Sequence, residues 1–160
     1  MKNQETINIH KTIKPGSIVI FLLITTIFIS CGLKTSVGMG TEIISAKEAV
    51  ALLAENGVIL VDARSSLDYK KGHLENAVNV PRANIVSNTP YPNMLCLPEQ
   101  LEKTMEAKGI SNTSTLVVYD SNQNMDSARL WWTLKIYGHD KIKVVSGGMS
   151  ELQSKGMDLS

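Results

Sequence analysis

The sequence is short of cysteine, of surplus charge and of metal-ligand spacing, and each shortage closes off a class of function. Two cysteines in 160 residues cannot build a disulfide framework, and neither a CxxC pair nor a His/Cys cluster suggests a zinc site. Lys and Arg number 16 against 15 Asp and Glu. Setting aside residues 1–30, which hold three Lys and one Glu, leaves 13 basic and 14 acidic groups. A body so balanced has no basic stripe with which to capture nucleic acid. No internal repeat or low-complexity tract is visible, and 43% apolar residues is the content of a globular chain rather than a disordered one. A body of about 130 residues holds one domain with a single core and leaves little room for a second.

What is present begins with an apolar run behind a basic leader. Lys2, Lys11 and Lys14 precede Pro15-Gly16, and Ser17 to Ile29 is almost purely apolar. A membrane-spanning helix needs about 20 such residues, whereas the apolar stretch of a signal peptide needs about 7–15. The run is of the shorter kind and has no polar face, so residues 1–30 read as a secretion signal. Phe28-Ile29-Ser30-Cys31-Gly32 resembles the bacterial lipoprotein box, with Phe at a position more often Leu. The resemblance implies cleavage before Cys31, diacylation of that thiol, and a membrane-anchored protein of the bacterial cell envelope, outside the cytoplasm. Each buried lipid CH₂ contributes roughly 0.8 kcal/mol, so several chains hold durably. The alternative is an uncleaved signal anchor in which Cys31 is incidental. Residues 31–41, with their Gly, Ser and Thr, read as a flexible tether.

From residue 42 to residue 160 strand and helix patterns alternate. Ser45 and Glu48 are spaced as a capping box, followed by an apolar stripe of Ala49, Val50, Leu52 and Leu53 that Asn56-Gly57 ends. Val58 to Val61 is a continuous apolar run suited to a strand covered on both faces, and Ala77 to Val80 a shorter one stopping at Pro81. A polar, proline-broken stretch runs from Ser87 to Asn93. Pro98 opens a helix over Glu99 to Lys108, ended by Gly109. Thr115 to Tyr119 is a second buried strand, Ser127 to Tyr137 a third helix, and Ile142 to Val145 the last clear strand. Gly147-Gly148 and a short helix near Glu151 follow. Strands separated by helices predict parallel pairing with right-handed crossovers, hence a three-layer α/β domain: a central parallel sheet flanked by helices. Ligands of such sheets sit beyond the carboxyl ends of the strands. That places the candidate site in the loop after Tyr119, with the loop after Val61 beside it.

The loop after Tyr119 reads Asp120, Ser121, Asn122, Gln123, Asn124, Met125, Asp126, Ser127, Ala128, Arg129. A strand-to-helix loop points N–H groups and the helix dipole at a bound anion. Yet this one has neither Cys nor Gly, and Asp120 and Asp126 would repel an anion; the plainer reading has both capping the turn and helix. Asp62 and Arg64 leave a strand end together and read most simply as a structural ion pair, with an acid–base role needing a partner that sequence cannot place. His73, beside Gly72, reads as a brace before it reads as a general base. Of Trp131 and Trp132, one is expected in the core and one at a contact surface. Cys96, between Leu95 and Leu97, reads as a small buried hydrophobe, and no basic neighbour is visible in the sequence to make it a nucleophile.

Taken together these residues resemble a rhodanese domain. Leu60-Val61-Asp62-Ala63-Arg64, then Tyr69, Gly72-His73-Leu74, Ala77, Asn79-Val80-Pro81, carry the likeness, and Gly147-Gly148 closes it. Within that family, Val118-Tyr119-Asp120, Ala128-Arg129-Leu130-Trp131-Trp132, Tyr137-Gly138-His139 and Pro90-Tyr91-Pro92-Asn93-Met94-Leu95 are similar to the first domain of tandem thiosulfate and mercaptopyruvate sulfurtransferases. Such enzymes typically keep the nucleophilic Cys in a second domain, where it carries sulfur as a persulfide within a cradle of backbone N–H groups. The resemblance puts Asp120 where an active member has Cys, and Asn93 where the tandem enzymes often have a His near the substrate. It implies a domain inactive alone, with Asp120, Ser121, Asn122, Gln123, Asn124, Met125 and Arg129 as the substrate loop and Arg64 and Asn93 as accessory positions. A catalytic rhodanese domain on a separate or downstream chain is the implied partner; no cofactor or metal is expected. Two other readings stay open: an active sulfurtransferase completed by a partner or through Cys96, and a module that binds a protein or a cation through the loop from Asp120 to Arg129.

Overall fold

The computed structural model describes residues 42–160; the leader, the tether and Cys31 lie outside the described residues. Seven strands and five α-helices follow in chain order. They are β1 (Ile43–Ile44), α1 (Ala46–Leu53), β2 (Val58–Asp62), α2 (Ser66–Lys71), β3 (Val78–Asn79), β4 (Val86–Ser87) and β5 (Met94–Leu95). After these come α3 (Pro98–Glu106), β6 (Thr115–Tyr119), α4 (Met125–Ile136), β7 (Ile142–Val145) and α5 (Gly148–Ser154). Five strands form one sheet in the order β1-β7-β6-β2-β3, every pair parallel. β4 and β5 form a separate antiparallel hairpin, with Val86 opposite Leu95 and Ser87 opposite Met94.

The continuous apolar strands are explained by what covers them. Along β6, Leu116 and Val118 join a core with Leu101 and Met105 of α3 and Leu130 and Leu134 of α4. Val117 and Tyr119 point the other way, to Ala46 and Ala49 of α1 and Leu152 of α5. Side chains alternate along a strand, so a sheet buried on both faces needs apolar residues at every position. Leu116, Val117, Val118 and Tyr119 are all fully buried. Each such aliphatic side chain contributes about 1.5–3 kcal/mol by leaving water.

Local signals set the first helix. The Ser45 side chain accepts from Glu48 N–H, and the Glu48 carboxylate accepts from Ser45 N–H at 2.8 Å, closing the expected capping box. Other expected boundaries need correction. The third expected helix starts at Met125 rather than Ser127 and ends at Ile136, because Asn124 adopts a left-handed conformation (φ 63°) that turns the chain early. The second ends at Glu106, not Lys108. The Ala77–Val80 run pairs only over Val78–Asn79, and the stretch from Ser87 to Asn93 joins two short strands that pair with each other. Helix α2 and the edge strand β1 were not expected at all.

Candidate functional site

Asp120 follows the last residue of β6 directly, at the carboxyl end of the central strand. Its carboxylate turns back into the loop. Oδ1 accepts from the backbone N–H groups of Asn122 (2.9 Å) and Asn124 (3.0 Å). Oδ2 accepts from the N–H groups of Asp126 and Ser127 (both 2.9 Å) and from the Ser127 hydroxyl (3.0 Å). Gln123 and Asn124 both have left-handed backbones (φ 52° and 63°), which curl the loop so that four backbone donors converge. The N-terminus of α4 adds its dipole. The side chain of Asp120 is thus the anion of its own loop, 1% exposed.

The expected capping holds for Asp120, whose carboxylate serves both the turn and the first turn of α4, but not for Asp126. Asp126 caps nothing; its carboxylate faces Arg82 at 3.9 Å, and its N–H serves Asp120. The expected repulsion between Asp120 and an anion takes a different form: Asp120 supplies the negative charge the donors would otherwise hold. A cavity of about 370 Å³ opens over this loop, lined by Asp120, Ser121, Gln123, Asn124, Gly147 and Ser150. Ser121, Asn122 and Gln123 are exposed, as is Met125.

The far wall explains the Gly-Gly pair. Met149 N–H donates to Asp120 O at 2.8 Å, bringing the start of α5 onto the carbonyl. A Cβ at Gly148, whose φ is +57°, would stand 2.2 Å from that oxygen. Only glycine fits.

Arg64 and Asn93 sit apart from the loop's donors. The Asp62 carboxylate accepts from Arg64 Nε (3.0 Å) and Nη2 (2.6 Å) and from the Tyr119 hydroxyl (2.8 Å). Arg64 Nη2 also donates to Gly72 O at 2.8 Å. Asp62 and Arg64 are both buried, and burial pushes the Tyr119 phenol well above its ordinary pKa. Tyr69 donates its hydroxyl to Ala77 O, His73 stacks on Tyr69, and Asn79 Nδ2 donates to Asp62 O and Arg64 O. The polar residues between Asp62 and Asn79 therefore hold a connection in shape, with His73 Nδ1 3.0 Å from Tyr69 O as a brace. Asn93 is exposed on the hairpin with a left-handed backbone (φ 61°), and its carbonyl accepts from Arg129 Nη2 at 2.9 Å. Arg129 also donates to Met94 O and lies 4.9 Å from the Trp132 ring centroid. Burial, with Arg82 nearby, lowers its pKa.

Cys96 packs in the core with Ile85 and Val86, and burial pushes its thiol pKa up. Trp131 packs against the core while Trp132 is exposed. Sequence reading missed Ser127, which gives two of the five donors; a hydroxyl residue seven positions after the aspartate is no known local capping pattern. Among the described residues no three His, Cys, Asp or Glu side chains gather as a metal site would require.

Comparison with known proteins agrees with this fold. The family model described as "Rhodanese-like domain" matches residues 45–155. Thiosulfate/3-mercaptopyruvate sulfurtransferase 1, mitochondrial, of Arabidopsis thaliana is 29% identical over 147 residues, covering 81% of this chain and 39% of that protein. The 3-mercaptopyruvate sulfurtransferase of Escherichia coli K12 is 30% identical over 93 residues, covering 58% of this chain and 33% of that protein. Among solved structures, the 3-mercaptopyruvate sulfotransferase SseA from Escherichia coli superposes with a TM-score of 0.67 at 25% identity, over 75% of this chain and 50% of that one. The chain spans less than half the length of these curated relatives.

Proposed function

The chain belongs to the rhodanese-like family, and from that membership we propose a non-catalytic domain of a sulfurtransferase system. In this reading it carries no sulfur itself and works beside a catalytic rhodanese-like domain on a separate or downstream chain. A lipid on Cys31 holds it at the outer side of a bacterial membrane.

One observation carries the first part. Sulfur transfer in the resembled enzymes needs a thiolate that attacks sulfane sulfur and holds it as a persulfide, stabilised by convergent N–H groups. Here the matching position is Asp120, whose two oxygens already take five donors at 2.9–3.0 Å. A carboxylate so held is neither a sulfur nucleophile nor a vacancy for substrate. The competing reading, activity through Cys96, meets a buried thiol whose pKa is raised rather than lowered, the opposite of what a nucleophilic Cys requires.

The test is thiosulfate-to-cyanide sulfur transfer, read as thiocyanate, by the full chain and its Cys96→Ser variant. Both are expected at the level of buffer. Turnover by the full chain that Cys96→Ser abolishes would replace this reading with an active enzyme.

A further inference from the structure

We infer that the cavity between α3 and the end of α4 binds a small organic ammonium, its apolar body inside and its charge at the mouth. The cavity lies where the chain enters β6 and β7, at the edge of the sheet opposite Asp120, and shares no residue with the loop described above. Its volume of about 430 Å³ falls within the range of small-molecule sites, about 300 to 1,000 Å³. Leu101 and Met105 of α3, Ile110 beyond it and Leu134 of α4 give the cavity an apolar lining, and all four are buried. Such a lining takes the hydrocarbon part of a ligand, and the polar groups around it decide which ligand.

The polar groups select a cation. Glu99, Glu102 and Glu106, three and four residues apart, share one face of α3 and line the same cavity. All three are exposed, and among the described residues none of their carboxylates pairs with a cation. Three unpaired negative charges at one mouth repel each other and attract a positive group together. No Lys or Arg lines the cavity to offset them. His139 lines it too, but burial lowers the pKa of that imidazole, so it adds no compensating charge. His139 is 7% exposed and its Nε2 is buried without a hydrogen-bond partner, a polar atom that a bound group or held water satisfies. Tyr137 contributes an aromatic ring to the wall, its hydroxyl already donating to Cys96 O, and aromatic rings attract organic cations. A bare metal ion would leave the apolar lining unused, whereas an amine on a compact hydrocarbon uses both parts.

The probe is phenethylamine, and phenylacetate, with a similar apolar body and the opposite charge, is its control. The full chain, isotopically labelled at its methionine methyl groups, is titrated with each compound and followed by NMR. The resonance of Met105, which lines the cavity, is identified by its loss in Met105→Leu. Phenethylamine is expected to shift it saturably, and phenylacetate to give no saturable shift over the same range. Glu102→Gln combined with Glu106→Gln is expected to weaken phenethylamine about fivefold, each exposed carboxylate giving its modest share. Both side chains are exposed, so the double variant keeps the fold. The absence of any saturable shift at Met105 overturns the proposal. So does an equal response to the two compounds, or undiminished affinity in the double variant, since either leaves an apolar hollow with no preference for a cation.

Discussion

The carboxylate of Asp120 accepts both the backbone N–H and the hydroxyl of Ser127, at 2.9 and 3.0 Å. The two residues are seven apart in sequence, one directly after a strand and the other inside the first turn of α4. What looks like a substrate loop is therefore closed by its own side chain, and its stability depends on that closure.

Asp120→Ala would strand four backbone donors in a site that is nearly sealed. Unsatisfied buried donors cost about 1–3 kcal/mol each before relaxation, and water entering through the overlying cavity recovers part of this. A net loss of about 3 kcal/mol is expected in urea denaturation, with a smaller loss for Asp120→Asn, which keeps one acceptor oxygen. Formate added to the Ala variant should raise its midpoint more than that of the parent. An Ala variant as stable as the parent would show that the closure contributes nothing.

Gly148→Ala tests the opposite wall. Its Cβ would stand 2.2 Å from Asp120 O, on a backbone at φ +57° that side chains rarely adopt. A loss of about 2–4 kcal/mol is expected from strain and displacement of α5 together. Gly109→Ala is the control: its φ is +70° but nothing lies within 4 Å, so about 1 kcal/mol is expected. Equal losses in the two variants would mean the contact with Asp120 is immaterial.

Burial pushes the pKa of His139 below its ordinary value. The folded chain therefore binds a proton less readily than the unfolded one, whose His titrates near 6.5. Above that pH both states are neutral and the contribution is complete. As pH falls through about 6.5 the unfolded state gains protons first, and stability drains until the folded pKa is reached. The urea midpoint is expected to drop between pH 7.5 and 5.5, and His139→Gln to flatten that slope. An unchanged slope would assign the drop to other groups.

The parts legible in sequence were those decided locally or by unbroken burial. Ser45 and Glu48 announce the first helix because a capping box is complete within four residues. The strands β2 and β6 are legible because two covered faces demand a nearly unbroken apolar run, while β7 shows through buried Ile142, Val144 and Val145 around Lys143. Asp62 and Arg64 pair across two positions, so adjacency sufficed. Helix α2 was not legible, since its six residues include none that is buried and carry no apolar stripe. The pairing of β1 with β7 and of β4 with β5 rests on two residues each, too few for any period to show. At the candidate site, sequence located the loop and left the role of Asp120 open. Its bonds depend on the left-handed turn at Gln123 and Asn124, which Asn favours but Gln does not, so the two-residue turn had only half a marker.

Asp120 also fastens both sides of the sheet at once. Its carboxylate holds the start of α4, which packs on one face, and its carbonyl holds the start of α5, which packs on the other. The second grip belongs to the main chain and survives any substitution; the first is gauged to an acceptor with two oxygens, each serving its own set of donors. A single sulfur atom in that place would satisfy one set and starve the other. A cysteine in this loop would thus call for a rebuilt turn as well, because residue and loop are fitted to each other.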